Sequence, residues 1–207
     1  KKDQSYVLWG IGENLLERTL FPLGTLRKEE VREIALKEEL VTAEIAESQE
    51  ICFIPDADYR RFLKEYVPDR ADAEEKGAMV SPNGEVVGEH QGLSQYTIGQ
   101  RRKLGVTGPK SSYVQQINQK TNTITVVPRE KMYFPGCQVH QLNWLIPSEE
   151  WPTGTIYTHI RYNHDGVESK MEYRENGSVS VKFKSPQFAV APGQSAVFYI
   201  DDILLGG

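Results

Sequence analysis

The chain has 207 residues, 39% hydrophobic and 26% charged, with a net charge of −5. That is enough material for one large domain or two small ones, each with its own core. No run approaches the roughly 18 apolar residues of a membrane span, and the opening KKDQSYVLWGIGENLL has neither the apolar centre nor the cleavage site of a signal peptide.

The chain opens on Lys1 rather than Met, so a fragment of a longer protein is expected. A first helix is predicted over roughly 11–20, followed by a break at FPLG (21–24). A second is predicted in RKEEVREIALKEEL, with Val31, Ile34 and Ala35 on one face and Thr25 in position to cap it. A third follows Asp56, an N-cap residue type, with Tyr59, Phe62, Leu63 and Tyr66 at i, i+3, i+4 and i+7, and Pro68 ending it. Beyond it the pattern changes to short β-prone runs around Asn83-Gly84 and at 121–127, 155–162, 178–183 and 194–200. Asp165-Gly166, Asn176-Gly177 and Pro192-Gly193 mark reversals between them. Strands without intervening helices point to an antiparallel barrel rather than a parallel sheet. The fold class expected is therefore α+β: a helical segment over 1–54, a small mixed central domain over 55–130, and a C-terminal antiparallel β-barrel over 131–207.

Cys52 and Cys137 are too few and too far apart for a disulfide framework. With His90, His140, His159 and His164 they never approach zinc spacing, so a reducing cytoplasm and no metal are expected. In ESQEICFIP, Cys52 reads either as a small hydrophobe among Ile51, Phe53 and Ile54 or as a thiol held for chemistry. Charge is uneven. Twenty of the 29 acids precede residue 91, and 91–129 contains none while carrying Arg101, Arg102, Lys103, Lys110, Lys120 and Arg129. Such a segment is either a local phosphate-binding surface or a solvated basic loop. No Walker sequence, Ser-Gly-Gly-x-Asp-Ser loop or Gly-x-Ser-x-Gly elbow is present.

Three stretches are too particular for scaffolding: KDQSYVLWG near the start, SQEICFIP around Cys52, and GEHQGLSQYTIGQRRKLGV at 88–106. With LFPLG between the first two and PGQSAVFY near the end, they resemble the tRNA-specific 2-thiouridylases, in family order and over essentially the whole chain. The resemblance implies an enzyme that puts sulfur on C2 of the wobble uridine. It also implies that the family's N-terminal ATP-pyrophosphatase domain is largely missing here. ATP, with magnesium, would be bound by that missing domain and not by this chain, so the chain alone is expected to be catalytically incomplete.

The same resemblance makes Cys52 the persulfide carrier, loaded by a sulfur-carrier protein or cysteine desulfurase and later joined in a disulfide to a second catalytic cysteine. Cys137 matches no catalytic position and is read as a barrel packing residue. Lys2, Asp3, Gln4, Arg161, Tyr162 and Gln194 are the implied tRNA contacts, with no membrane partner; Arg101 and Arg102 are added from the charge pattern alone. Arg and Lys suit phosphates, Tyr can stack on a splayed base, and Gln or Asp can read a base edge. Three positions depart from the family pattern: Glu50 replaces a glycine beside the thiol, Lys103 replaces a glycine, and SSYV (111–114) lacks the usual Pro-Trp. An anion at Glu50 works against thiolate formation. It supports the alternative of a non-catalytic RNA-binding module or diverged paralogue in which Cys52 merely packs.

Overall fold

The computed structural model describes residues 4–44, 54, 56, 58–66, 75–106 and 112–207. It divides into two compact units, Asn14–Pro68 and a larger body formed by Lys1–Glu13 together with Asp69–Gly207. Among the described residues no helix is long and apolar enough to cross a membrane.

The smaller unit carries the helices. The first, α1 (Glu13–Leu16), is a single turn rather than the predicted ten-residue helix. Arg18 and Thr19 donate their N–H groups to carbonyls three residues back, and the Thr19 hydroxyl donates to the Leu15 carbonyl at 2.7 Å, so the turn tightens and stops. In α2 (Lys28–Lys37) the cap is Arg27 and not Thr25: Arg27 is extended, and its N–H donates to the Glu30 carboxylate, three residues on. None of the α2 residues is buried, and Leu20, Phe21, Leu23, Ile34, Leu36 and Val41 are all exposed. In α3 (Tyr59–Tyr66) the capping carboxylate is Asp58, which accepts the Arg61 N–H at 3.0 Å. Asp56 instead takes the Arg61 guanidinium at 2.6 Å, and that hydrogen bond holds its carboxyl below the usual carboxylate range. Phe62 and Tyr66, one turn apart, stack at 4.6 Å. Glu50 and Cys52 lie outside the described residues.

The larger body holds two sheets. Strands β1 (Gly77–Val80), β2 (Val86–His90), β3 (Ser112–Asn118) and β4 (Thr123–Pro128) form the first, in the order β2-β1-β4-β3. The β1–β2 hairpin turns at Asn83-Gly84, where Gly84 takes φ 83° at no steric cost. Within this sheet β1 and β4 run parallel, Met79 facing Ile124. The long connection between β2 and β3 allows it, carrying the chain across so that β3 pairs antiparallel with the far side of β4. Met79, Leu93, Tyr96, Leu104, Val114 and Ile124 form the core here. His90 is fully buried: Gly92 donates to its Nδ1 at 3.2 Å, which leaves Nε2 to donate to the Asn122 carbonyl at 3.1 Å.

A 3-10 turn (Arg129–Met132) leads into the second sheet. Its strands are β5 (Tyr133–Val139), β6 (Ile156–His159), β7 (Val167–Tyr173), β8 (Val179–Phe188), β9 (Val197–Ile200) and β10 (Ile203–Gly206), ordered β10-β9-β6-β7-β8-β5 and antiparallel throughout. The expected closed barrel is corrected to an open sheet, because β5 and β10 are edge strands that do not pair with each other. The chain turns away after β5 at Gln141 (φ 58°), and only residues 143–145 reach β10. Asn143 and Gly207 exchange backbone hydrogen bonds at 2.9 and 3.2 Å, Leu145 donates to Leu205, and the one bridge is Trp144 to Gly206. That edge is covered without a continuous ladder. Val179, Val181, Phe183, Phe198 and Leu205 build the core under the sheet.

Cys137, opposite Val181 on β5, is a half-buried free thiol against this core, and burial pushes it up to about 11. The buried site favours the neutral thiol, so its stabilising contribution is intact below about pH 9 and is lost as pH rises toward 11. Chemical denaturation of wild type and Cys137→Val at pH 7 and pH 10 should therefore diverge, the wild type losing about 1 kcal/mol more over that interval.

Candidate nucleic-acid interface

Residues 4–11 dock on the second sheet through groups far away in sequence. A 3-10 turn (Ser5–Gly10) presents Tyr6, whose hydroxyl donates to the Ser195 carbonyl at 2.8 Å. Ser5 Oγ lies 3.0 Å from Tyr199 Oη, and the Asn143 side-chain amide donates to the Trp9 carbonyl. Burial raises the Tyr6 hydroxyl above its ordinary value. The Tyr6 and Tyr162 rings meet edge to face, centroids 6.2 Å apart.

This docking brings together three of the residues the sequence nominates. Gln4 is exposed two residues before Tyr6, Tyr162 touches the Tyr6 ring, and Gln194 is exposed next to the carbonyl that Tyr6 holds. Arg161 stands beside them, half-buried, donating from Nη1 to the Phe188 carbonyl at 3.1 Å. Lys2, Asp3 and Cys52 lie outside the described residues.

Behind Tyr162 opens a cleft of about 520 Å³, lined by Tyr6, Tyr157, His159, His164 and Tyr199, with Asp165, Asp201 and Asp202 also on its wall. The His159 ring lies 4.8 Å from that of Tyr199. Gly166 donates to His164 Nδ1 at 3.2 Å, so Nε2–H donates to Gln187 Oε1 at 3.0 Å and the ring is fixed. Such a cleft can stack a planar ring, while its carboxylates repel phosphate. Among the described residues no group of three His, Cys, Asp or Glu could hold a metal ion. Tyr157, His159 and Tyr199 were legible only as strand residues. Their common face follows from alternation along β6 and from the register that sets Tyr157 opposite Tyr199.

The basic segment is built separately. Gly99 donates to the Val114 carbonyl at 2.8 Å and Val114 to that of Gln100 at 3.0 Å, fastening the loop to β3. The Gln100 side chain accepts from Thr97 and donates to the Arg102 carbonyl, leaving Arg101, Arg102 and Lys103 exposed. Lys103 takes φ 59°, a left-handed conformation that glycine adopts at lower cost.

Three family models match in succession. A tRNA methyl transferase HUP domain covers residues 1–56, a tRNA methyl transferase PRC-barrel domain 60–128, and an aminomethyltransferase beta-barrel domain 134–207. The tRNA-specific 2-thiouridylase MnmA of Carboxydothermus hydrogenoformans is 44% identical over 207 residues, covering 100% of this chain and 56% of its own length. The proteins of that name from Natranaerobius thermophilus and Symbiobacterium thermophilum are 42% and 43% identical, again over 100% of this chain and over 55% and 52% of their own lengths. The chain thus spans about half the length of the curated relatives it matches.

Removing the Tyr6 hydroxyl should loosen the docked segment without unfolding the sheet. In Tyr6→Phe, hydrogen exchange at the Ile11 amide, which bonds the Leu8 carbonyl, should accelerate about fivefold, while β9 amides keep their protection.

Proposed function

The chain belongs to the tRNA-specific 2-thiouridylase family, and from that premise we propose that it is the central and C-terminal part of an enzyme that 2-thiolates the wobble uridine of tRNA. The observation that carries this reading is the order of the matches: three domain models follow one another along the chain, while proteins named 2-thiouridylase align with all of it. On this reading 1–54 is the end of a catalytic domain, 55–130 a central domain and 131–207 a tRNA-facing domain, in a cytoplasmic protein.

Cys52 falls inside the HUP-domain match and is assigned the sulfur. A sulfur-carrier protein or cysteine desulfurase that itself bears a persulfide loads it. The Cys52 thiolate takes the donor's outer sulfur, the donor's S–S bond breaks and its thiolate leaves, giving Cys52–S–SH. The terminal sulfur bonds to C2 of the uridine as the C2–O bond breaks. A second cysteine thiolate then attacks Cys52 Sγ, the S–S bond breaks, and its electron pair stays on the sulfur at C2. The resulting disulfide is reset by an external thiol. ATP with magnesium would supply activation of the C2 oxygen. These 207 residues contain no phosphate-cradling loop to fit it, and that site is assigned to the part of the family protein beyond this chain. This chain alone is therefore expected to be inactive.

Lys2, Asp3, Gln4, Arg161, Tyr162 and Gln194 are assigned to the tRNA, supported by the convergence of Gln4, Tyr162 and Gln194 around Tyr6. Glu50, two residues from Cys52, favours a second reading, an RNA-binding module without thiolation activity.

Two measurements decide. In the whole protein supplied with ATP and a sulfur donor, Cys52→Ser should lower thiolation about a thousandfold or more with tRNA affinity unchanged. Mass mapping should find the persulfide on Cys52; full thiolation by Cys52→Ser would take the sulfur-carrying role from Cys52. A wild type that binds tRNA but neither carries the persulfide nor thiolates would replace the enzyme reading with the binding module. Separately, Arg101→Ala with Arg102→Ala should flatten the dependence of log K on log salt by about one for each lost phosphate contact, as read by tRNA titrations across a salt series.

A further inference from the structure

We propose that Arg129 and Arg161 form a phosphate clamp built on Phe188, which makes Arg129 a nucleic-acid contact additional to those named above. The inference rests on the RNA-binding reading of this face. The Arg129 guanidinium lies over the Phe188 ring, 5.6 Å from its centroid, and Arg161 donates to the carbonyl of the same residue at 3.1 Å. Both cations are thus oriented by uncharged groups. By contrast, Arg61 is held by Asp56 and Glu65, and Arg174 by Glu172. Neither Arg129 nor Arg161 forms an ion pair among the described residues, although Glu130 adjoins Arg129 in the chain.

That difference has a chemical meaning. A guanidinium already neutralised by a carboxylate has little left for another anion. One fixed on a ring face keeps its in-plane N–H groups for a bidentate bond to a phosphate. The support itself is rigid. Phe188 meets the edges of Tyr113 and Tyr133, each 5.4 Å away, and Ala189 donates to the Met132 carbonyl at 2.9 Å. Arg161 spends one of its five N–H groups on Phe188 and keeps the rest.

Position fixes the class of ligand. Arg161 adjoins Tyr162 on the wall of the aromatic cleft, and Asp165, Asp201 and Asp202 on that wall disfavour phosphate within it. The ligand that satisfies both halves is a single-stranded ribonucleotide segment, its base toward the tyrosines and its phosphodiester at the arginines.

The test titrates the full-length protein with unfractionated tRNA across a salt series. Arg129→Gln should weaken binding roughly three- to tenfold near 0.1 M salt and reduce the slope of log K against log salt by about one. Arg129→Lys should keep the slope. If Arg129→Gln leaves affinity and slope unchanged while the wild type binds, the clamp is wrong and the RNA-binding reading stands. If Arg129→Lys loses slope and affinity equally, the effect belongs to packing on Phe188, and the clamp is again wrong. Failure of the wild type to bind tRNA even at low salt would overturn both.

Discussion

Phe188 is the joint of the larger body. It ends β8, pairs across the ladder with Tyr133 of β5, and receives the edge of Tyr113 from β3, so one ring touches both sheets. Around it Val127 and Met132 close a small core distinct from the two larger ones. The packing is aromatic, with Phe188 half-buried, and close-packed side chains transmit strain rather than absorb it. Everything that faces outward near this ring, including both arginines and the loop with Tyr162, inherits its position from that joint.

On the proposed reading, the interface separates two kinds of recognition. Rings gather in the cleft together with carboxylates, whereas the arginines stand outside it and the basic loop of Arg101 to Lys103 is fastened to β3. A nucleotide meets the same division in itself: its base is flat and weakly polar, and its phosphate is charged. On the proposed reading, a cleft that repels phosphate and a rim that attracts it set the direction in which a strand can enter.

What was legible in the sequence follows from how local each cause is. The Asn83-Gly84, Asp165-Gly166 and Asn176-Gly177 turns were readable because glycine's positive φ is a local demand. The strand around Thr123–Pro128 was readable from its composition and alternation. By contrast β5, which contains Pro135-Gly136, is not among the predicted strands. Gly136 is required by a distant neighbour: a Cβ there would come within 2.1 Å of the Val181 carbonyl. Helix α2 is a partial case: of the apolar face visible in the sequence, Val31 and Ala35 are half-buried while Ile34 is exposed. The site was nominated through family resemblance, and its assembly was not legible at all. Tyr6 finds a backbone carbonyl 189 residues away, and carbonyls leave no mark in a sequence. Arg129 was visible only as one charge in an acid-free stretch, since nothing nearby points to Phe188.

The docked segment also sets a timetable. Residues 4–11 are synthesised well before the groups that hold them, Asn143, Ser195 and Tyr199. At roughly 5–20 residues per second, synthesis reaches Ser195 about ten to forty seconds after Tyr6. Through that interval residues 4–11 must wait without their partners, and the face that gathers Gln4, Tyr162 and Gln194 cannot exist until Ser195 has been made.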